Sequence, residues 1–288
     1  MTAQPAPNLA PEIESLLAFW SDAGVDAVVG DTPVNRRESL GAPATASSLA
    51  ARRETRPGAA SMTAAGHKLR AVDAASAPGE GWRQSQVRAQ EAARAADNLQ
   101  ELASAIASFD GCPLKTSAKQ AVFSRGDPQA PVMIVGEGPG AEEDAQGLPF
   151  VGRAGQLLDR MLNAAGLVDR VFITNTVFWR PPGNRTPTAE EQAVCAPFVE
   201  RAVELVRPRL LLLVGGASAK FMLGKTEGIL SLRGRWFPWR SADQSLEIPA
   251  LATLHPAFLL RQPAAKRQAW SDVLVLAERL DRPEREPA

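Results

Sequence analysis

Apolar and polar positions change rhythm along this chain, and the changes divide it. In "IESLLAFWSDAGVDAVV", within residues 10–30, apolar residues recur at helical spacing, which predicts an amphipathic helix ending near Gly24 or Gly30. From Thr32 to about Gly81 the text is Ala, Pro, Ser, Gly and Arg with few large apolar residues. Such a stretch has too little apolar surface to offset the entropy of ordering, and a disordered linker is expected. "WRQSQVRAQEAARAADNLQELASAIASF" returns to helical spacing and is expected to form one long helix entering a core domain.

From Pro131 the pattern alternates. "VMIVG" (132–136), "VFITNTV" (171–177), "LLLLVG" (210–215) and "PALATL" (249–254) are short apolar runs of the kind that form buried parallel strands. Helix-like segments are expected at about 153–165, 189–206, 216–223 and 265–280. The alternation predicts an α/β fold, a three-layer α/β/α sandwich around a central four-stranded, mainly parallel sheet. The expected division is a helical segment over 1–31, a linker over 32–82 and the α/β domain over 83–283. In such sheets ligands lie beyond the carboxyl ends of the strands, so chemistry is expected in the loops 136–152, 175–187, 215–218 and 255–263.

Composition narrows the classes. Formal net charge is zero, which argues against coating polyanions indiscriminately but leaves room for a local basic patch. Two cysteines, Cys112 and Cys195, are too few for a disulfide framework or an all-cysteine metal site. No apolar run approaches the ~20 residues of a membrane span. "MTAQPAPNLAPE" lacks the pattern of a signal peptide, and the chain is read as cytoplasmic, with no membrane partner.

The loops carry the candidate chemistry. "GEGPGAEEDAQGLPFVG" supplies Gly136, Glu137, Gly138, Pro139 and Gly140, where glycine permits close backbone approach and Pro139 stiffens the turn. Its spacing matches neither a P-loop nor a clean GxGxxG, and Glu142, Glu143 and Asp144 would repel a polyphosphate. Phe150 is either core or a stacking face for a base. Asn175, at the end of "VFITN", is either a turn residue or an amide that reads a pyrimidine edge. Arg180 and Arg185, in the proline-stiffened "WRPPGNRTP", contact phosphate or are simply solvated. His255 ends the last strand and is one of two histidines, the other being His67 in the linker. Alone it makes a poor zinc site, and stabilising a developing anion suits it better.

Taken in order, "GEGPGAEED", "LPFVGRAGQLL", "ITNTVFWRPPGNRTP", "LVGGASAKFMLG", "LRGRWF" and "LHPAFLLRQPAAKR" resemble the iron–sulfur (family 4) uracil-DNA glycosylases, from about Gly111 to Leu280. The resemblance implies a DNA repair enzyme that flips uracil out of single- or double-stranded DNA and hydrolyses its N-glycosidic bond. Gly138 occupies the slot that holds a water-activating aspartate in other uracil glycosylases, so the resemblance implies less reliance on a general base. It assigns catalysis to Glu137, Asn175 and His255, with Glu137 orienting water and His255 facing uracil O2. Gly136, Gly138, Phe150, Asn175 and His255 would bind uracil. Pro139, Arg180, Arg185, Leu259 and Arg261 would contact DNA, Leu259 as an apolar wedge in the base stack.

The family holds a [4Fe–4S] cluster on four cysteines. The matching positions here are Phe109, Cys112, Trp179 and Cys195, and two thiolates do not make a Cys₄ set. The cluster is therefore expected to be absent, with the two aromatic side chains filling its volume and no other cofactor. Two alternatives stay open: a catalytically inactive DNA-binding relative, and a nucleotide-binding Rossmann-like enzyme. The chain is expected to be a monomer, with the N-terminal segment a possible contact for a protein partner.

Overall fold

The computed structural model describes residues 80–282. The helix expected within 1–31 and the linker expected from residue 32, as far as residue 79, lie outside the described residues. Among the described residues six strands form one sheet: β1 (Arg125–Gly126), β2 (Val132–Gly136), β3 (Val171–Asn175), β4 (Leu210–Val214), β5 (Trp236–Arg240) and β6 (Glu247–Thr253). Their order is β1-β3-β2-β4-β6-β5. The inner four, β3-β2-β4-β6, are parallel and are the four apolar runs of the sequence. The sheet also has two antiparallel edge strands that the alternation did not predict, β1 on β3 and β5 on β6. β1 is two residues long and β5 carries Pro238, so neither leaves a sustained apolar signature.

Side chains of successive strand residues point to opposite faces, which divides the core in two. Met133, Val135, Leu211, Leu213, Ala250 and Ala252 belong to one apolar cluster. Val132, Ile134, Leu210, Leu212, Val214 and Leu251 belong to the other. Helices α1 (Glu80–Arg94), α2 (Leu99–Ser108), α5 (Ala189–Val206) and α6 (Gly216–Leu223) contribute to the first, and α4 (Arg153–Ala164) and α9 (Lys266–Asp281) cover the second. The short helices α3 (Ala141–Gln146), α7 (Ile229–Leu232) and α8 (Pro256–Arg261) complete the set. This is the expected three-layer sandwich.

The helix expected across 82–109 is two helices. Asn98 caps α2, its Oδ1 accepting from the N–H groups of Gln100 and Glu101 at 3.1 and 2.9 Å. A short polar side chain that satisfies the free N–H groups of a helix start favours a break over continuation. The segment after His255, expected to be a loop, is also helical. Pro256 at the first helical position has its φ pre-set, and His255 is the cap.

Candidate active site

Three of the four strand-end loops converge on one cleft of about 480 Å³. Glu137, Gly138, Pro139, Gly140, Glu143 and Phe150 come from the chain after β2; Asn175, Pro181, Asn184 and Arg185 from that after β3; His255, Ala257 and Arg261 from that after β6. The fourth loop does not line the cleft but supports it. Gly215, at φ 95°, passes so close beneath His255 that a β-carbon there would stand 3.1 Å from the histidine Cβ.

Close approach explains the glycine at the end of β2. A β-carbon on Gly136 would come within 2.5 Å of the Phe150 ring and closer still to Asn175 Oδ1. The two side chains therefore reach the cleft across bare backbone. Asn175 is 1 % exposed, and its Oδ1 is buried without a hydrogen-bond partner. An unpaired buried acceptor costs on the order of 1–3 kcal/mol and is rare enough to point to a missing donor.

Phe150 is 6 % exposed and lies at φ 55°. A bulky residue in the left-handed region costs roughly 1–3 kcal/mol and persists where its surroundings hold it. Its ring faces His255, with centroids 5.8 Å apart and planes tilted by 30°. The imidazole Nδ1 of His255 accepts from the Ala257 N–H at 3.2 Å, which in the neutral ring leaves Nε2–H as the donor. Burial pushes the His255 pKa down to about 4, helped by the positive charge of Arg261 and opposed by the Glu143 carboxylate. The ring is neutral at physiological pH.

The loops are tied from behind. Glu143, which the sequence offered only as part of an acidic cluster, accepts from Gly140 N at 3.1 Å, Val151 N at 3.0 Å and Gly152 N at 2.9 Å. Its place three residues after the cap of α3 is a helix-start signal that could have identified it. Thr176 Oγ1 donates to the Glu137 carbonyl at 2.6 Å and accepts from Gln192 Nε2 at 2.9 Å.

Several expected DNA contacts are placed differently. Leu259 is 0 % exposed and packs with Leu157, Leu254 and Ala269, so it is core and no wedge. Helical geometry is the reason: Ala257 and Arg261, four residues apart, share the cleft face, and Leu259 between them points the other way. Arg185 is engaged by the buried Glu191, donating at 2.8 and 2.6 Å, and braces its loop while lining the cleft. Arg180 Nε donates at 2.7 Å to Oδ1 of Asn184, a cleft-lining residue that nothing in the sequence pattern singled out. Pro139 is a buried part of the wall. Arg261 is exposed and makes no ion pair among the described residues.

Away from the cleft, Phe109, Cys112, Trp179 and Cys195 are all buried in the same apolar cluster. Phe109 meets Phe198 edge-on at 5.2 Å, and Trp179 meets Phe178 at 6.2 Å. Cys112 and Cys195 are free thiols, and burial pushes the Cys195 pKa well up. Two cysteines and two aromatic rings do not supply the four thiolates of a cluster. Among the described residues, no group of three or more His, Cys, Asp or Glu side chains is placed to hold a metal ion.

Comparison with known proteins agrees with this geometry. Residues 123–274 match the model of the uracil DNA glycosylase superfamily. A type-4 uracil-DNA glycosylase of Pyrobaculum aerophilum is 40 % identical over 61 % of this chain and 91 % of its own length. Similar proteins of the same description are 35 % identical in Sulfurisphaera tokodaii, over 66 % of this chain and 88 % of theirs, and 40 % identical in Thermotoga maritima, over 52 % and 77 %. With the matched segment spanning all three loops of the cleft, the chain belongs to the uracil DNA glycosylase superfamily.

Proposed function

We propose that the chain excises uracil from DNA by hydrolysing its N-glycosidic bond, as a base excision repair enzyme. The observation that carries this reading is the buried, unpartnered Oδ1 of Asn175 in the wall of the cleft. Uracil presents an N3–H donor beside the O4 acceptor, so a carboxamide can accept from one and donate to the other. Cytosine has an acceptor at N3 and would leave Oδ1 facing a lone pair. A site built to receive a particular donor rejects the analogue lacking it by a large factor.

The chemistry follows from the walls. Extruding the base costs a few kcal/mol, less in single-stranded DNA, and stacking on Phe150 offsets part of it. As the glycosidic bond breaks, negative charge gathers on uracil O2 and positive charge on the sugar. The neutral His255 presents Nε2–H to the oxygen, and one such donor is worth about 3–4 kcal/mol. Glu137, on the cleft wall, orients the water and its charge favours the cationic sugar. Gly138, whose neighbour Val177 leaves no room for a β-carbon, lets the base approach the backbone. Arg261 is the free cation of the cleft rim among the described residues and meets a DNA phosphate; Arg185 and Pro139 shape the wall beside it, and Arg180 braces Asn184 there.

The same reading includes a protein without a cluster, its place taken by the packing of Phe109 and Trp179. It also includes a monomer acting on DNA in the cytoplasm, with a protein partner reached through the N-terminal segment. The test is uracil release from a single-stranded oligonucleotide, with iron determined on the same preparation. Release by the iron-free wild type, abolished in Asn175→Ala and His255→Ala that retain their fold, supports the reading. A wild type that binds the oligonucleotide without release returns the inactive relative.

A further inference from the structure

Phe150 is held in its left-handed conformation by a residue outside the cleft. Arg125, on the antiparallel edge strand β1, donates from Nε to the Pro149 carbonyl at 2.8 Å and from Nη2 to the Phe150 carbonyl at 3.2 Å. Its Nη2 also meets Asp159 Oδ1 on α4 at 2.6 Å. The same Phe150 carbonyl lies against Gly155, where any β-carbon would run into it. On the far side, Glu143 takes the N–H groups of Val151 and Gly152. The peptide groups before and after Phe150 are thus fixed from opposite directions, and the strained φ is what turns its ring toward Gly136 and His255.

We infer that Arg125 is a positioning residue for the base-stacking platform, anchored by Asp159 and acting on catalysis only through the placement of the Phe150 ring. The inference rests on the uracil-excision reading for its effect on rate. An arginine fork can reach two adjacent carbonyls and a carboxylate together, which the point charge of a lysine cannot. The antiparallel pairing of β1 with β3, Arg125 opposite Ile173, brings the guanidinium under the loop that follows α3.

The test is a double-mutant cycle on the full chain: wild type, Arg125→Ala, Phe150→Ala and the double variant. Single-turnover uracil excision is measured together with affinity for a uracil-free oligonucleotide and thermal unfolding. Arg125→Ala is expected to slow excision by about 10–100-fold, since a misplaced group can cost that much. Its affinity for uracil-free DNA should stay near that of the wild type. The double variant should match Phe150→Ala to within about twofold, because the two act as one unit. Losses that multiply in the double variant overturn the inference, as does an Arg125→Ala enzyme as fast as the wild type. Should Arg125→Ala not fold, Arg125→Lys replaces it in the cycle, and a lysine enzyme at full rate overturns the inference. A crystal structure of the variant gives a second readout. Phe150 leaving the left-handed region supports the inference, and an unchanged φ overturns it. A wild type that releases no uracil defeats the proposed function alone, and the crystal structure then decides the positioning role.

Discussion

Phe150 and His255 reach the same cleft from distant parts of the chain and stand 5.8 Å apart, ring to ring, at a tilt of 30°. The pair sets an apolar face beside an N–H donor, the two features an extruded pyrimidine needs for stacking and for stabilising charge on its carbonyl. The donor works only if the histidine keeps a fixed tautomer, and the Ala257 N–H at Nδ1 fixes it.

That arrangement makes a prediction about pH. His255 titrates near 4 in the folded chain against 6.5 ordinarily. Excision should show no inflection from this group between about pH 5.5 and 8. Between pH 6.5 and 4 the unfolded chain binds a proton that the folded one refuses, so stability is intact above 6.5 and falls as the pH drops through that window. The full loss is on the order of 3 kcal/mol. Melting temperatures followed across pH should therefore slope more steeply for the wild type than for His255→Gln.

Gly136→Ala should abolish excision while sparing the sheet. The added methyl overlaps Asn175 Oδ1 and the Phe150 ring, so both must move out of the cleft wall. Overpacking of this kind costs about 1–3 kcal/mol of stability, and misplacement of both groups should slow single-turnover release by at least about 100-fold. A variant retaining wild-type rates would mean that neither side chain reads the base.

Leu259 and Arg261 should separate stability from DNA binding. Leu259→Ala empties a fully buried position and is expected to cost about 2–5 kcal/mol in denaturant unfolding, with the affinity of the folded fraction for DNA unchanged. Arg261→Ala should leave unfolding alone and lower the slope of log affinity against log salt by about 0.7 for single-stranded DNA. The reverse pattern would restore Leu259 as the wedge.

The aromatic plug predicts the behaviour of an apolar core. Trp179→Ala should cost about 3–5 kcal/mol, and iron chelators should leave the melting temperature of the wild type unmoved. Replacing Phe109 and Trp179 together by cysteine should destabilise the chain unless ferrous iron and sulfide are supplied under reducing conditions. The visible absorption of a cluster in the reconstituted variant, and its absence from the wild type, is the expected pair of spectra.

The inner sheet was legible in the sequence because burial on both faces leaves a strand no choice but an apolar run. "VMIVG", "VFITN", "LLLLV" and the end of "EIPALAT" each announce themselves this way. The helices α4, α5, α6 and α9 were legible through their spacing, and α5 also carries the Thr188–Glu191 capping pair. The break at Asn98 carries a helix-start signal, Glu101 standing three residues after Asn98, but the apolar spacing runs on across it and reads as one helix. Edge strands β1 and β5 escaped because one is too short and the other too mixed to show a period.

The cleft was half legible. Residue types at strand ends singled out Gly136, Phe150, Asn175 and His255, because position after a parallel strand already implies the binding face. Arg125 gives no such signal, lying on an edge strand, and Glu143 gives only its place three residues after a helix cap; their hydrogen bonds to the Phe150 loop join segments that only folding brings together. Motif position places Leu259 on DNA, whereas the helix that turns it into the core is a property of the folded backbone.

What the sequence determined by itself was the layer architecture, the face that carries chemistry and the chemical types gathered there, since local periodicity and residue chemistry are properties of short stretches. What only the tertiary structure decided was orientation: which side of α8 faces the cleft, which cation is left unpaired, and how a strained phenylalanine is held. Those outcomes depend on pairings between distant residues, and the free energy that selects them is shared across the fold, where no single segment displays it.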